Sequence, residues 1–242
     1  MTGRRAEYSR TDVYRDTGGA EPKFMFVRIG DLIGARRGAD APRDLLDVGA
    51  AAGAFARYAL SRFPSARVTG LEHDPRLVEA ARAACPEAIF IQGDANGMSA
   101  IADRAFDVVT MTGTHSIFED FRPSFSECLR VAREGATVIV TGLFNPYPVD
   151  AQIHWRLGSR FGDAWHPGYN LFSRMSVASF LATHPRVAGH EFVPFTLPFD
   201  LAPREDPIRS WTQIEADGRR TLRNGIMPLP FDSLVISVGA VR

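Results

Sequence analysis

The sequence predicts an α/β protein built on a doubly wound, mostly parallel sheet, and three observations carry that prediction. Short, largely apolar runs, such as LLDV at 45–48 and VIV at 138–140, alternate with segments of helical period. That is the pattern of strands covered on both faces. A turn containing Gly49 and Gly53 follows the first run and opens a helical segment. Finally, Asp47, Glu72 and Asp94 stand at or near the ends of the first three runs, on the edge where open α/β sheets bind ligands.

In chain order, residues 23–37 carry Phe24, Val27, Leu32 and Ile33 at helical spacings, interrupted by Gly30, and predict a helix on the domain edge. PRDLLDVGA, ending at the turn, predicts the first strand, and AFARYALSRF places Phe55, Ala59 and Phe63 on one helical face. ARVTGLEHD predicts a second strand and PRLVEAARAAC a helix opened by Pro75 at a favoured first-turn position. AIFIQGDA and FDVVTMTG predict the third and fourth strands. FEDFRPS reads as a helix start, with Asp120 as cap and Pro123 in the first turn. SFSECLRVAREG follows as a helix on Phe125, Cys128, Leu129 and Ala132, ending at Gly135 as a left-handed cap, and ATVIVTGLF as the fifth strand. Residues 144–172, rich in aromatics and prolines and without period, read as an insertion over the site. SRMSVASFLATH predicts a further helix, HEFVPFTLPF and FDSLVISVGAV two strands, and SWTQIEADGRRTLRNG a hairpin turning at Asp217-Gly218.

The 242 residues, 45% hydrophobic, suit one domain with insertions. Within it, 1–42 reads as an amino-terminal lid, 43–145 as a ligand-binding core, and 146–242 as insertion, cap and final strands. Lys plus Arg and Asp plus Glu both number 28, a formal charge of +0. No nucleic-acid partner or anionic membrane surface is therefore expected. The two cysteines, Cys85 and Cys128, show no paired spacing, which fits a reducing cytoplasm. Neither a signal-peptide core nor a membrane-length apolar run is present, so a soluble protein is expected.

The glycine turn lets a ligand approach the backbone, but Asp47 beside it would repel a pyrophosphate. Glu72 lies roughly 20 residues beyond the turn, the spacing at which such folds place an acid on ribose hydroxyls. Three acids and no lysine at that edge argue for a cationic nucleoside. S-adenosyl-L-methionine is one, with an adenine amine, two ribose hydroxyls, an ammonium and a sulfonium.

On these residues the chain resembles the class I S-adenosylmethionine-dependent methyltransferases over about 43–145. The resemblance implies a Rossmann-like sheet of seven strands with a substrate-capping insertion. It maps the glycine turn to Asp47, Gly49, Ala51 and Gly53, the ribose acid to Glu72 with His73 beside it, and the adenine-side acid to Asp94 with Ala95. It sets Met111 and Thr112, from FDVVTMTGTH, at the strand end that faces the transferred methyl group. Ala51 stands where the family usually has its middle glycine.

Methyl transfer needs chiefly the acceptor atom in line with the methyl carbon; where a proton must leave early, His115 is the candidate base. Tyr147, Trp155, Trp165 and Tyr169 are candidates for an acceptor wall, and Tyr8 and Tyr14 for a closing segment. His154, Asp163 and His166 match no metal-ligand spacing, and no metal is expected. The acceptor is expected to be a small molecule or saccharide, methylated on oxygen or nitrogen. Two alternatives stand: a non-catalytic S-adenosylmethionine-binding protein, and a nicotinamide-dependent oxidoreductase, whose G-x-G-x-x-G fingerprint with free backbone donors differs from this D-x-G-x-x-x-G turn.

Overall fold

The computed structural model describes residues 22–38, 41–158, 162–203, 205 and 209–240. Tyr8 and Tyr14 lie outside them. The first helix among the described residues, α1 (Phe24–Arg37), runs unbroken and buries Phe26, Ile29 and Ile33. The glycine within it has a packing cause: a Cβ on Gly30 would collide with the Tyr58 hydroxyl of the next helix.

The core then alternates as expected: β1 (Asp44–Val48), α2 (Ala54–Arg62), β2 (Arg67–Glu72), α3 (Pro75–Ala84), β3 (Ile89–Gln92) and β4 (Phe106–Thr112). A 3₁₀ turn at His115–Ile117 leads to α4 (Arg122–Val131) and β5 (Ala132–Asn145). Asp74 caps α3 by accepting from the Arg76 amide at 2.9 Å, with Pro75 in the first turn. Asp120 likewise accepts from the Arg122 amide at 2.9 Å at the entry to α4.

The carboxyl third holds the short pair β6 (His154–Trp155) and β7 (His166–Pro167), then β8 (Phe172–Ser173), α5 (Arg174–Thr183) and β9 (Val187–Pro194). A separate antiparallel sheet of β10 (Trp211–Ile214), β11 (Arg220–Arg223) and β12 (Pro228–Leu229) precedes β13 (Phe231–Val238). Its first hairpin turns at Gly218, whose φ of +81° is left-handed.

The main sheet runs β3-β2-β1-β4-β5-β13-β9, seven strands, with β8 joined to the end of β5 as an eighth. Strands β1 to β5 pair in parallel, while β13 runs antiparallel to both β5 and β9. Strand order reverses between β1 and β4, which opens a crevice at their carboxyl ends. All five residues of β1 are buried, and they feed two cores by alternation. Leu46 and Val48 join Phe125, Leu129 and Leu181 on one face; Leu45 joins Ile29, Phe55 and Val78 on the other.

Two boundaries differ from the sequence expectation. Helix α4 ends at Val131, not Gly135, because Arg186 caps it: its guanidinium donates to the carbonyls of Leu129, Arg130 and Ala132 at 2.8, 2.9 and 2.7 Å. Gly135 instead supplies φ +75° where the β4–β5 register slips, between the Phe106–Ala132 and Val108–Thr137 pairs. Strand β9 begins at Val187 and stops at Pro194, so the later FTLPF stretch is not strand.

Candidate functional site

A cavity of about 1100 Å³ opens at the carboxyl edge of the sheet, at the reversal of strand order. Its first half is made by the ends of β1, β2 and β3. Gly49 turns the chain there with φ +80°, and a Cβ on it would lie 2.2 Å from the Thr114 hydroxyl. Ala51, in the place of the family's usual glycine, is left-handed at φ +46°, a conformation that costs an alanine about 1–2 kcal/mol. Gly53 also has φ +80° but serves packing rather than the cavity wall, since a Cβ would meet Phe90 at 2.9 Å.

Four amides of this turn are already engaged. Those of Gly49 and Ala50 both donate to the Leu71 carbonyl, at 2.8 and 3.0 Å, and that of Gly53 donates to the Ala50 carbonyl at 2.9 Å. The Ala51 amide donates to Glu72 Oε2 at 2.9 Å. A pyrophosphate site depends on free backbone donors, and this turn has committed these four to β2 and to itself.

Glu72 is held by three amides in all, since Oε1 also accepts from His73 and Asp74 at 2.8 and 3.0 Å. A carboxylate has about four lone-pair sites, so capacity remains for a ligand hydroxyl. Asp47 lines the cavity although only 3% exposed. Burial pushes its carboxyl up to about 7, against a 3.2 Å hydrogen bond from the Thr110 hydroxyl that lowers it and the nearby Glu72 charge that raises it. A cation placed in the cavity would restore the carboxylate. Thr112 also lines the cavity, and its buried hydroxyl has no hydrogen-bond partner among the described residues. An ammonium and ribose hydroxyls are the complement of this set.

His73 and Ala95 line the cavity beside Glu72. Asp94 stands between the lining residues Gly93 and Ala95, its Oδ1 accepting from the Asn96 amide at 2.8 Å. Met111 departs from expectation: strand alternation turns it away from Thr112, and it is fully buried in the core.

The larger correction concerns His115, which is fully buried and is not part of the cavity wall. Its ring stacks on Phe144 with centroids 4.6 Å apart. Nε2 lies 3.0 Å from the Leu143 carbonyl, which only accepts, so Nε2 carries the proton. Nδ1 faces β5, where a Cβ on Gly142 would come within 3.0 Å of it. Burial drives the imidazole down to about 4. The ring is therefore a neutral strut under the cavity floor, not a base facing an acceptor.

The second half of the cavity comes from residues that sequence patterns do not connect: Ser116, Phe118, Leu143, Tyr169, Leu229 and Phe231. Of the four aromatics considered for an acceptor wall, Tyr169 alone lines the cavity, while Tyr147 and Trp165 are 73% and 59% exposed. Trp155 packs against His166 at 5.2 Å. Lys23, just ahead of α1, also lines the cavity, with its ammonium 5.5 Å from the Phe26 ring centroid. No local signal marked it.

Comparison with known proteins agrees with this geometry. Residues 46–140 match the family described as methyltransferase domain. The demethylmenaquinone methyltransferase of Thermotoga maritima is 30% identical over 105 residues, 43% of this chain and 45% of that protein. The chain thus matches less than half the length of that relative. Among solved structures, the YcgJ protein of Bacillus subtilis superposes with a TM-score of 0.59 at 17% identity, covering 88% of this chain and 98% of that one. Phosphoethanolamine N-methyltransferase 2 of Haemonchus contortus, solved with S-adenosyl-L-methionine, gives 0.52 at 19% identity, covering 70% and 39%. Residues 46–140 are thus similar to a methyltransferase domain, and the solved structures share the fold of this chain.

Proposed function

We propose that the protein is an S-adenosylmethionine-dependent methyltransferase acting on a small-molecule acceptor. One observation carries the reading: an anionic cavity half whose turn amides are engaged internally, set at the strand-order reversal of a methyltransferase domain. Glu72, held by three amides, is assigned to the ribose hydroxyls. Asp47 and the unpartnered Thr112 hydroxyl are assigned to the ammonium end, and Asp94, His73 and Ala95 to the adenine side. Gly49 leaves room for Thr114 to pack against the turn at the cavity edge; Ala51 and Gly53 shape the same turn.

When bound, S-adenosylmethionine supplies a sulfonium-activated methyl carbon; the acceptor's electron pair forms the new bond as the carbon–sulfur bond breaks and its electrons return to sulfur. The chain's own part is alignment and exclusion of water. With His115 walled off, no imidazole base is assigned, and a proton on the acceptor leaves to solvent. Oxygen and nitrogen acceptors both fit this scheme. The committed turn amides weigh against the nicotinamide alternative, and a cavity larger than the nucleoside half weighs against a purely binding protein.

The test is binding of S-adenosylhomocysteine to the purified protein and to Glu72→Ala. Affinity in the micromolar range, reduced at least tenfold by the substitution, is expected. Equal affinity in the two proteins would remove Glu72 from the site.

A further inference from the structure

The cavity divides by charge. Among the described lining residues, the acidic and basic side chains are Lys23, Asp47, Glu72, His73, Asp74 and Arg76. Five of these stand at the ends of β1 and β2 or in the first turn of α3. Lys23 stands where α1 meets both sides: its ammonium lies 5.5 Å from the Phe26 ring, which meets Phe55 of α2 at 5.4 Å, while the neighbouring Phe24 meets Phe195 at 5.9 Å and Phe195 meets Phe231 at 5.8 Å. The other half, beyond β4, is lined by Ile117, Phe118, Leu143, Leu229 and Phe231, with side-chain hydroxyls from Thr114, Ser116, Tyr169 and Ser210 and no charged side chain among the described residues.

Chemistry restricts what such a chamber accepts. A carboxylate or ammonium moved there from water would lose hydration with no opposite charge to replace it. A saccharide would bring several hydroxyls to a wall whose side chains answer with four, one of them, Thr114, already placed against the Val48 and Thr112 carbonyls. Apolar surface, by contrast, gains on entry. The volume leaves room for it: about 1100 Å³ exceeds the roughly 300–1,000 Å³ of a pocket for one drug-sized ligand.

The tautomer of His115 adds a direction. Nε2 carries its proton toward the Leu143 carbonyl at 3.0 Å and lies 3.3 Å from the Ser116 oxygen. Ser116 can only accept from that nitrogen, so its own hydroxyl proton is left to donate elsewhere. Ser116 is 1% exposed and lines the chamber. A single heteroatom accepting from Ser116 would be fixed within an otherwise apolar wall.

We infer that the methyl acceptor is a neutral, predominantly apolar small molecule, held between the Ile117–Phe118 turn and the Leu229–Phe231 strand start, with a heteroatom hydrogen-bonded by Ser116. This rests on the assignment of the charged half to S-adenosylmethionine, and the test separates the two. S-adenosylhomocysteine is titrated first by calorimetry. With it at saturation, two fluorescent probes of similar shape follow: neutral N-phenyl-1-naphthylamine and anionic 8-anilinonaphthalene-1-sulfonate, each challenged with methyl glucoside.

The neutral probe should bind one to one and at least tenfold tighter than the anionic one, without displacement by the glucoside. Leu229→Asp should weaken it at least tenfold while S-adenosylhomocysteine affinity stays within about twofold, which also reports an intact fold. Should that variant lose the nucleoside too, Ile117→Gln provides the same comparison at a half-buried position. Equal binding of the two probes, displacement by the glucoside, or no effect of either substitution would overturn the inference. Failure of S-adenosylhomocysteine itself to bind would overturn the reading beneath it.

Discussion

The two halves of the cavity are built by different means. The charged half arises from three consecutive strand ends, each within a few residues of a turn, so its acids are fixed by local backbone: Glu72 by amides at 51, 73 and 74, Asp74 by its own helix start. The neutral half is assembled from residues near 117, 143, 169, 210 and 230 that meet only after the sheet has closed. The difference teaches that the charged half is a property of the strand-turn-helix repeat. The neutral half is instead a property of the tertiary fold.

The sharpest way to break this division is Glu72→Ala. It removes an acceptor from three amides and from the ligand, and charged hydrogen bonds contribute about 1.5–3 kcal/mol each. Cofactor affinity should fall ten- to a hundredfold with loss of thermal stability, while the neutral probe still binds whatever fraction stays folded. Calorimetry and a thermal melt read the two effects.

Next in size is the opposite corner, Arg186→Ala, which removes a guanidinium donor from three carbonyls at the end of α4, of which that of Arg130 keeps the Arg104 amide at 3.0 Å. A loss of about 2–4 kcal/mol is expected in urea unfolding, with cofactor affinity in the folded protein unchanged.

His115→Asn probes the floor beneath the neutral half. Its imidazole is lowered from 6.5 to about 4 by burial, so the unfolded chain takes up the proton first. The associated stability is fully present above about pH 6.5 and is lost as pH falls toward 4, amounting to about 3 kcal/mol at most. Asp47, raised to about 7, has the opposite slope between 3.8 and 7, so the wild-type minus variant difference is the quantity to follow. Imidazole ¹⁵N spectra should show an Nε2-protonated ring that does not titrate between pH 8 and 5. A ring titrating near 6.5 would restore it as a candidate base.

Asp47 sharpens the charged half. If the ligand's cation binds its carboxylate, affinity should weaken about tenfold from pH 8 to 6, with a proton released at the lower pH. Titration in two buffers of different ionisation enthalpy detects it. The smallest effect belongs to Ala51→Gly: relief of the left-handed alanine, about 1–2 kcal/mol, is offset by about 0.4–1 kcal/mol of added unfolded-chain entropy.

The same division explains what the sequence disclosed. Asp47, Gly49 and Glu72 were legible as residues of the sheet edge, where they line the cavity, because strand ends, a tight turn and a fixed spacing are local signals. Met111 was misjudged by one step of strand alternation, its neighbour Thr112 being the one that faces the cavity. His115 was legible as a residue after β4 but not as a buried one, since its depth is set by Phe144 and Gly142 some 30 residues later. The end of α4 was set by Arg186, more than 50 residues away. Tyr169, Leu229 and Phe231 carry no periodic signal, and only closure of the sheet brings them together.

The central claim is that the cavity takes a cationic nucleoside rather than a dinucleotide. Calorimetric titration with S-adenosylmethionine, S-adenosylhomocysteine and a reduced nicotinamide dinucleotide tests it most directly. The account predicts one micromolar site for each of the first two and no heat from the third; binding of the dinucleotide, or silence from both nucleosides, would contradict it.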